Sequence, residues 1–315
     1  MTATAAITMS ALTKQFGDLT AVASLDLEVH RGEVFGFLGP NGAGKTTTLR
    51  MLLGLIRPTS GEVAVLGRRP GDPKSLRRIG SLIEGPGFYP YLTGRTNLQT
   101  MARYAGVPAS AVGPALEAVG LADRAGDKFG SYSLGMKQRL GVAAALLKDP
   151  ELVLLDEPTN GLDPQGMRDM RELIIDLGRQ GRTVILSSHL MGEVQQICER
   201  VAVIDRGRIV REGTVEQLRG DAELEVVATP SDTALATLRA LSFVDEVRAS
   251  DGRLLVTVGT RHTAEITRAL VHAGVAVTGV RRRERELEDV FFDLTTHQGA
   301  LADGNARDDK ELSHV

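Results

Sequence analysis

The chain has 315 residues, enough for about two domains at a usual size of roughly 150 residues each. Apolar residues make up 42% and charged residues 24%, which excludes a disordered chain, and the net charge of −3 gives no general attraction to nucleic acids. No membrane span or signal peptide is recognisable, and the single cysteine, Cys198, excludes an internal disulfide, so a cytoplasmic protein is expected.

The first part of the chain, residues 7–218, alternates between strand-like and helix-like segments. Its buried strands are the apolar runs GEVFGFLG, ELVLLDEP and RTVILSSH, which predict a parallel sheet covered on both faces. AVASLDLEV and GEVAVLG are further strands, and AVIDRGRIVREG predicts a hairpin across Arg206 and Gly207. About residues 95–147 are mostly helical, which indicates an inserted helical subdomain. We expect a first α/β domain over residues 1–219.

The second part changes character near Gly220. Residues 223–282 read as strand, helix, two strands in a hairpin, helix and strand, the order of a ferredoxin-like α+β unit. A last helix, ELEDVFFDLT, follows, so we expect an accessory domain over residues 220–297. The polar tail 298–315 has no periodicity and is expected to be disordered.

The stretch GPNGAGKTTT matches G-x-x-x-x-G-K-[ST] at Gly39, Gly44, Lys45 and Thr46. Glycines let backbone N–H groups converge on phosphate oxygens, and the following helix adds its positive end. Lys45 would then reach the β- and γ-phosphates, and the Thr46 hydroxyl would bind Mg²⁺. A plain glycine-rich turn is the alternative, which the strand before and the helix after disfavour. The expected phosphate-binding set is completed by Asn41, Gly42 and Thr47.

Two adjacent carboxylates, Asp156 and Glu157, end the apolar strand ELVLLDEP. Neighbouring side chains at a strand end point to different sides, so the two can have different roles. Asp156 is predicted to hold the Mg²⁺ shell, and Glu157 to polarise the attacking water. Alone, such a pair could equally be a solvated strand edge, but the phosphate-binding loop favours the catalytic interpretation.

The segment SYSLGMKQRLGVAAALLKDPELVLLDEPTNGLDP resembles the signature, acidic strand and D-loop of ATP-binding-cassette (ABC) transporter ATPases, a resemblance that covers about residues 7–218. It implies a P-loop NTPase fold, ATP and Mg²⁺ as ligands, and two subunits facing head to tail. The second subunit is either another copy of this chain, which we favour, or a related chain. Ser133 and Gly135 match signature positions that touch the γ-phosphate, although the motif is degenerate, and Asp163 falls in the D-loop. His189 matches the switch histidine that contacts the γ-phosphate and the water, and Phe16 the aromatic that stacks on adenine.

One departure from the family pattern lies in IGSLIEGPGFYPYLTGRTNL, where Glu84 stands in place of the usual glutamine. That position implies a catalytic and metal-binding role that couples the site to the membrane subunit. The substitution, the GPGFYP that follows and the closing LEDVF resemble the drug-resistance branch, which exports bacitracin, lantibiotics, daunorubicin and related compounds.

The resemblance therefore implies an ATP-hydrolysing subunit that drives a separate integral-membrane permease and lies peripherally on the cytoplasmic face of the membrane. The alternative is a soluble ABC ATPase acting on ribosomes or DNA. It is disfavoured by the single cassette, the absence of sustained heptads and the neutral-to-acidic net charge, so no nucleic-acid partner is expected.

Overall fold

The computed structural model describes residues 5–219, 223–250, 252–258, 262–283 and 286–288. The chain divides into two compact units, Met1–Val215 and Glu216–Val315. The strands of the first unit are β1 (Ala5–Phe16), β2 (Leu19–His30), β3 (Val34–Leu38), β4 (Ser60–Val65), β5 (Ile79–Leu82), β6 (Leu152–Asp156), β7 (Thr183–Ser188), β8 (Arg200–Asp205) and β9 (Arg208–Thr214). Its helices are α1 (Lys45–Leu52), α2 (Pro73–Leu76), α3 (Gly94–Ala105), α4 (Val112–Ala118), α5 (Leu134–Leu146), α6 (Pro164–Arg179) and α7 (Met191–Ile197). Helix α8 (Val215–Arg219) spans the division.

A six-stranded sheet forms the centre of the first unit, in the order β5-β6-β7-β3-β8-β9. The first five strands are parallel, and β9 returns antiparallel to β8. Every residue of β3, β6 and β7 is buried, as expected for strands covered on both faces. The predicted α/β fold is confirmed.

The register brings the carboxyl ends of three central strands to one edge of that sheet. Leu38 pairs with Ser188 across β3 and β7, and Asp156 pairs with Ser187 across β6 and β7. Loops that follow these strands therefore start side by side, although they are far apart in the chain. Ligands of open parallel sheets bind at this edge.

A second, three-stranded antiparallel sheet has the order β2-β1-β4. A single core cluster contains side chains of this sheet, of α1 and of the central sheet, including Phe35 and Phe37, whose rings meet edge to face with centroids 5.5 Å apart. Burying a side chain of this size contributes about 1.5–3 kcal/mol. The core therefore fixes α1 between the two sheets.

Between β5 and β6 the chain is mostly helical, as the sequence predicts. Helices α3 and α4 contact α5, and α5 contacts β5. Each of α3 and α5 begins with a hydroxyl cap: Thr93 accepts from the amide of Thr96, and Ser133 accepts from the amide of Met136.

The second unit contains β10 (Glu223–Thr229), α9 (Ser231–Arg239), β11 (Val244–Ser250), β12 (Arg253–Val258), α10 (Thr263–His272) and β13 (Ala276–Arg283). Its sheet is antiparallel with the order β11-β12-β10-β13, which is the ferredoxin-like arrangement. Arg281 of β13 is exposed and donates to Glu225 at 2.8 Å. This hydrogen bond holds the pKa of the Glu225 carboxyl below its usual value.

Of the last predicted helix, only residues 286–288 are described, and the tail 298–315 lies outside the described residues. No helix in the described part of the chain is both long enough and apolar enough to cross a membrane.

Candidate active site

The glycine loop connects β3 to α1, and its glycines adopt backbone angles that other residues rarely adopt. Gly44, immediately before α1, has φ of 103°, and a Cβ there would lie 2.5 Å from the carbonyl oxygen of Ala21. Gly42 has φ of 83°, and no described atom lies within 4 Å of where its Cβ would be. The loop is therefore tightly supported at Gly44 and open at Gly42, where a phosphate could approach the backbone closely. Asn41 beside it is exposed, and Thr47 is half-buried in the first turn of α1.

Lys45 is the buried cation of this loop, with 6% of its side chain exposed. Its Nζ donates to the carbonyl oxygens of Gly39 and Pro40 at 2.7 and 3.2 Å. The same ammonium lies 3.1 Å from Oε1 of Glu157. Because buried charges need partners, these three contacts explain how a lysine can be held at the centre of the site. They also place the cation between the loop and the acidic strand.

Thr46 and Asp156, which are 110 residues apart in the chain, meet above α1. The Thr46 hydroxyl lies 3.0 and 2.9 Å from the two carboxylate oxygens of Asp156. Both side chains offer oxygen atoms as metal ligands, and Mg²⁺ is usually held by one or two protein oxygens together with substrate phosphates. The described residues contain no cluster of three or more His, Cys, Asp or Glu that could hold a metal. The pair therefore fits a magnesium ion that is shared with a phosphate ligand.

Glu157, the second carboxylate of the acidic strand end, contacts His189. His189 Nδ1 lies 2.8 Å from Oε2 of Glu157, so an ionised Glu157 requires the proton on Nδ1. Glu157 has φ of 48°, a left-handed conformation that is uncommon outside glycine and occurs at functional sites. Its carboxylate is thus held between two groups, the Lys45 ammonium and the His189 ring.

Ser187 is a site residue that the sequence interpretation did not identify. Its hydroxyl donates to Oδ1 of Asp156 at 2.5 Å and accepts from the backbone N–H of Glu157 at 3.0 Å. It therefore orients the Asp156 carboxylate directly and holds the backbone of Glu157, from which the second carboxylate projects. The available signal was a hydroxyl residue at the end of an otherwise apolar buried strand, TVILSS, directly before His189.

Glu84 and Phe16 lie at the exposed periphery of the site. Glu84 is 61% exposed and forms an ion pair with Arg50 of α1. In the described part of the chain its carboxylate has no other polar partner. Phe16 ends β1, is 49% exposed, and has the Lys14 ammonium 4.8 Å from its ring centroid. An adenine ring could stack on the exposed face of such an aromatic side chain.

The signature residues belong to a separate group. Ser133 caps α5 and is exposed, and a Cβ on Gly135 would contact Leu162 and Gly166 at 3.9 and 3.8 Å. Asp163 caps α6 by accepting from the Gly166 amide at 2.8 Å. Gly135 and Asp163 thus both lie against Gly166 of α6, and none of the described contacts of these three residues is to the glycine loop.

Tyr132 precedes this group and anchors it. Its ring is buried, and its hydroxyl donates to the carbonyl oxygen of Arg124 at 2.7 Å. Burial, with the nearby Asp127 carboxylate, raises the pKa of Tyr132, so the hydroxyl stays protonated and able to donate.

The fold and the loop geometry define the class as a P-loop nucleoside triphosphatase. Comparison with known proteins refines this. The ABC transporter family model matches residues 22–160. The bacitracin transport ATP-binding protein BcrA of Bacillus licheniformis is 40% identical over 290 residues, which cover 90% of this chain and 95% of that protein.

The linearmycin resistance ATP-binding protein LnrL of Bacillus subtilis (strain 168) is 34% identical, covering 90% of this chain and 96% of that one. A solved dimeric cassette, MJ0796 in a post-hydrolysis state with ADP and Pi, matches with a TM-score of 0.60 and 26% identity, covering 67% of this chain and 99% of that chain. The chain therefore belongs to the ATP-binding subunits of ABC transporters and is an ABC-type ATPase. The predicted resemblance is confirmed.

Proposed function

We propose that two copies of this chain bind Mg-ATP head to tail and that their hydrolysis cycle drives a separate integral-membrane permease. The observation that carries the proposal is the pairing at the sheet edge, where Thr46 meets Asp156 and Glu157 meets His189. One pair suits a metal and the other suits proton handling, and both lie beside a glycine loop with a buried lysine. This is the division of labour that phosphoryl transfer to water requires.

The residue roles follow from these contacts. Lys45 would hold phosphate oxygens, and the Glu157 carboxylate would accept a hydrogen bond from the attacking water. His189 would keep that carboxylate oriented and would itself contact the phosphate. Thr46 and Asp156 would hold Mg²⁺, which would neutralise developing charge on the transferred phosphoryl group. Phe16 would stack on the adenine. Glu84, which is paired with Arg50, would couple the catalytic site to the permease.

The second copy is inferred from the signature group. Ser133 and Gly135 lie at the N-terminus of α5, where helix N–H groups suit a phosphate, and Asp163 caps the neighbouring α6. The described contacts of these three residues do not include the glycine loop. A partner copy facing the loop would supply them. The dimeric state of the MJ0796 cassette, named with ADP and Pi, supports this arrangement.

A docking surface for the permease is inferred from an apolar groove of about 390 Å³ in the first unit. Its lining includes Leu55, Ile83, Phe88 and Met101, and Leu55 and Met101 are exposed. Exposed apolar patches of this kind mark protein interaction sites. Tyr89, Tyr91 and Leu92 follow the groove in the chain, so this face would receive a helix of the membrane subunit. The chain would then lie on the cytoplasmic face of the membrane.

We further propose an antibiotic or other hydrophobic or peptide compound as the exported substrate. The support is the pair of relatives whose names refer to bacitracin transport and linearmycin resistance, both matched along nine-tenths of this chain. Selection of the compound would belong to the permease.

The test is ATP-dependent dimerisation of the Glu157→Gln protein, measured by size-exclusion chromatography with and without Mg-ATP. Loss of the carboxylate should block hydrolysis and trap a closed dimer with ATP bound. The double variant Lys45→Ala, Glu157→Gln should stay monomeric because it cannot hold the phosphates. A Glu157→Gln protein that binds ATP but stays monomeric at all concentrations would contradict the homodimer.

A further inference from the structure

Gly207 lies in the tight turn between β8 and β9, next to the glycine loop. Its backbone N–H donates to the carbonyl oxygen of Ala43 at 3.0 Å, and its own carbonyl accepts from the N–H of Ala23 at 2.8 Å. Ala43 is a residue of the glycine loop, and Ala23 belongs to β2. Gly207 therefore connects the loop to an outer strand through two backbone hydrogen bonds.

The space around Gly207 admits no side chain. Its φ is 77°, and a Cβ would lie 2.8 Å from the carbonyl oxygen of Ala21 and 3.1 Å from the Cα of Val22. Rigid backbone lies on that side, so no side-chain rotation can relieve the contact. Any residue other than glycine would have to push β2 and the turn apart.

The β8–β9 hairpin and β2 also contact the two ends of the glycine loop. A Cβ on Gly39 would lie 2.1 Å from the carbonyl oxygen of Ile204, just before the turn. A Cβ on Gly44 would lie 2.5 Å from the carbonyl oxygen of Ala21, in β2. The start of the loop thus packs on the β8–β9 hairpin, its end packs on β2, and Gly207 joins the hairpin to both.

We propose that Gly207 is a positioning residue for the phosphate-binding loop and acts through Ala43. The inference rests on the proposed phosphate-binding role of that loop. Gly207 would not touch the nucleotide. It would hold the loop in the one conformation in which its N–H groups converge, because a displacement of about 1 Å at a binding site can cost roughly 100-fold in activity.

A glycine in a two-residue hairpin could instead serve the turn alone. Arg206 and Gly207 both have positive φ, at 46° and 77°, as tight hairpins require. That explanation accounts for the glycine but not for the hydrogen bonds to Ala43 and Ala23. It predicts a loss of stability on substitution without a change in nucleotide affinity.

The test compares Gly207→Ala with Gly181→Ala. Gly181 has φ of 82° and no described atom within 4 Å of its Cβ position, so alanine there costs the same backbone strain without the clash. Mg-ATP affinity is measured by isothermal titration calorimetry at a temperature where both proteins are folded by circular dichroism. We expect Gly207→Ala to lose about 10- to 100-fold in ATP affinity, the cost of losing a hydrogen bond to a charged phosphate, and Gly181→Ala to match the wild type. Equal affinity in the two variants would overturn the proposal.

A second measurement uses the wild-type protein, in case Gly207→Ala does not fold. Amide hydrogen exchange is followed over residues 203–211 with and without Mg-ATP. If the turn holds the loop, ATP should slow exchange there, because an ordered loop carbonyl at Ala43 protects the Gly207 N–H. Unchanged exchange in a protein that binds ATP would refute the positioning role alone. Failure of the wild-type protein to bind ATP would instead refute the proposed function.

Discussion

Ser187 shows how one side chain can orient two neighbouring acidic residues, one through its carboxylate and the other through its backbone N–H. Asp156 and Glu157 are adjacent in the chain, yet one contacts Thr46 and the other contacts Lys45 and His189. The left-handed backbone of Glu157 turns the chain at the end of β6, and the Ser187 hydroxyl bonds to both residues. Orientation by a group that does not itself touch the substrate commonly matters for activity.

Replacing Ser187 with alanine removes a donor to Asp156 and an acceptor for the Glu157 N–H. We expect ATPase activity to fall by about 10- to 100-fold, the usual effect of losing a group that orients a metal ligand. The free energy of unfolding should fall by about 1–3 kcal/mol, because a buried hydrogen bond to a charged group is lost. Steady-state ATP hydrolysis and chemical unfolding measure the two effects.

The matched control is Ser75→Ala. Ser75 is fully buried, and its hydroxyl donates to the carbonyl oxygen of Asp72 at 2.9 Å, away from the site. This variant should lose stability and keep its ATPase activity. If both variants keep full activity, Ser187 has only a structural role.

At the scale of elements, α6 reaches the central sheet through a glycine. A Cβ on Gly178 would lie 2.5 Å from Cγ2 of Val34 in β3. Val34 is buried and β-branched, so its side chain has little freedom to move. The glycine therefore sets how closely α6 packs on β3, and with it the position of the Asp163 cap at the other end of the helix.

Two helical glycines should respond to alanine with opposite signs. Gly178→Ala should lower the free energy of unfolding by about 1–3 kcal/mol, because overpacking outweighs a gain in helix propensity of at most about 1 kcal/mol. Gly113→Ala in α4 should raise it by up to about 1 kcal/mol, since no described atom lies within 4 Å of its Cβ position. Urea unfolding followed by circular dichroism separates the two. A stabilised Gly178→Ala protein would contradict this expectation and would show that Val34 of β3 can shift to accommodate the added Cβ.

At the scale of the whole molecule, each unit has a core of its own. One described core cluster runs from Ala6 to Ile204, and another from Leu224 to Val275. The predicted site residues, from Phe16 to His189, all fall within the first unit. Self-contained cores are the mark of domains that can fold separately.

A chain that ends after Arg219 should therefore remain folded and should bind Mg-ATP with the affinity of the full-length protein. Calorimetric titration of both proteins tests this expectation, with circular dichroism to verify folding. A shortened protein that is folded but has lost ATP affinity would mean that the second unit contributes to the site.

The sequence by itself determined the chemistry of this protein and much of its fold. The glycine loop and the acidic pair are contiguous motifs whose residue types are dictated by phosphate and metal chemistry. Strands buried on both faces are continuous apolar runs, so the central sheet was predictable. The order of folded segments in the second unit could also be predicted, because each segment carries its own periodicity.

The tertiary structure alone decided which distant residues meet. The strand order β6-β7-β3 brings Asp156 to Thr46 across 110 residues, and the same order gives Ser187 its role. The support of the loop by Gly207 uses backbone groups, which every residue possesses. Contacts of this kind leave almost no trace in side-chain pattern, because they depend on how the strands are arranged in space and hardly at all on the residues that the strands contain.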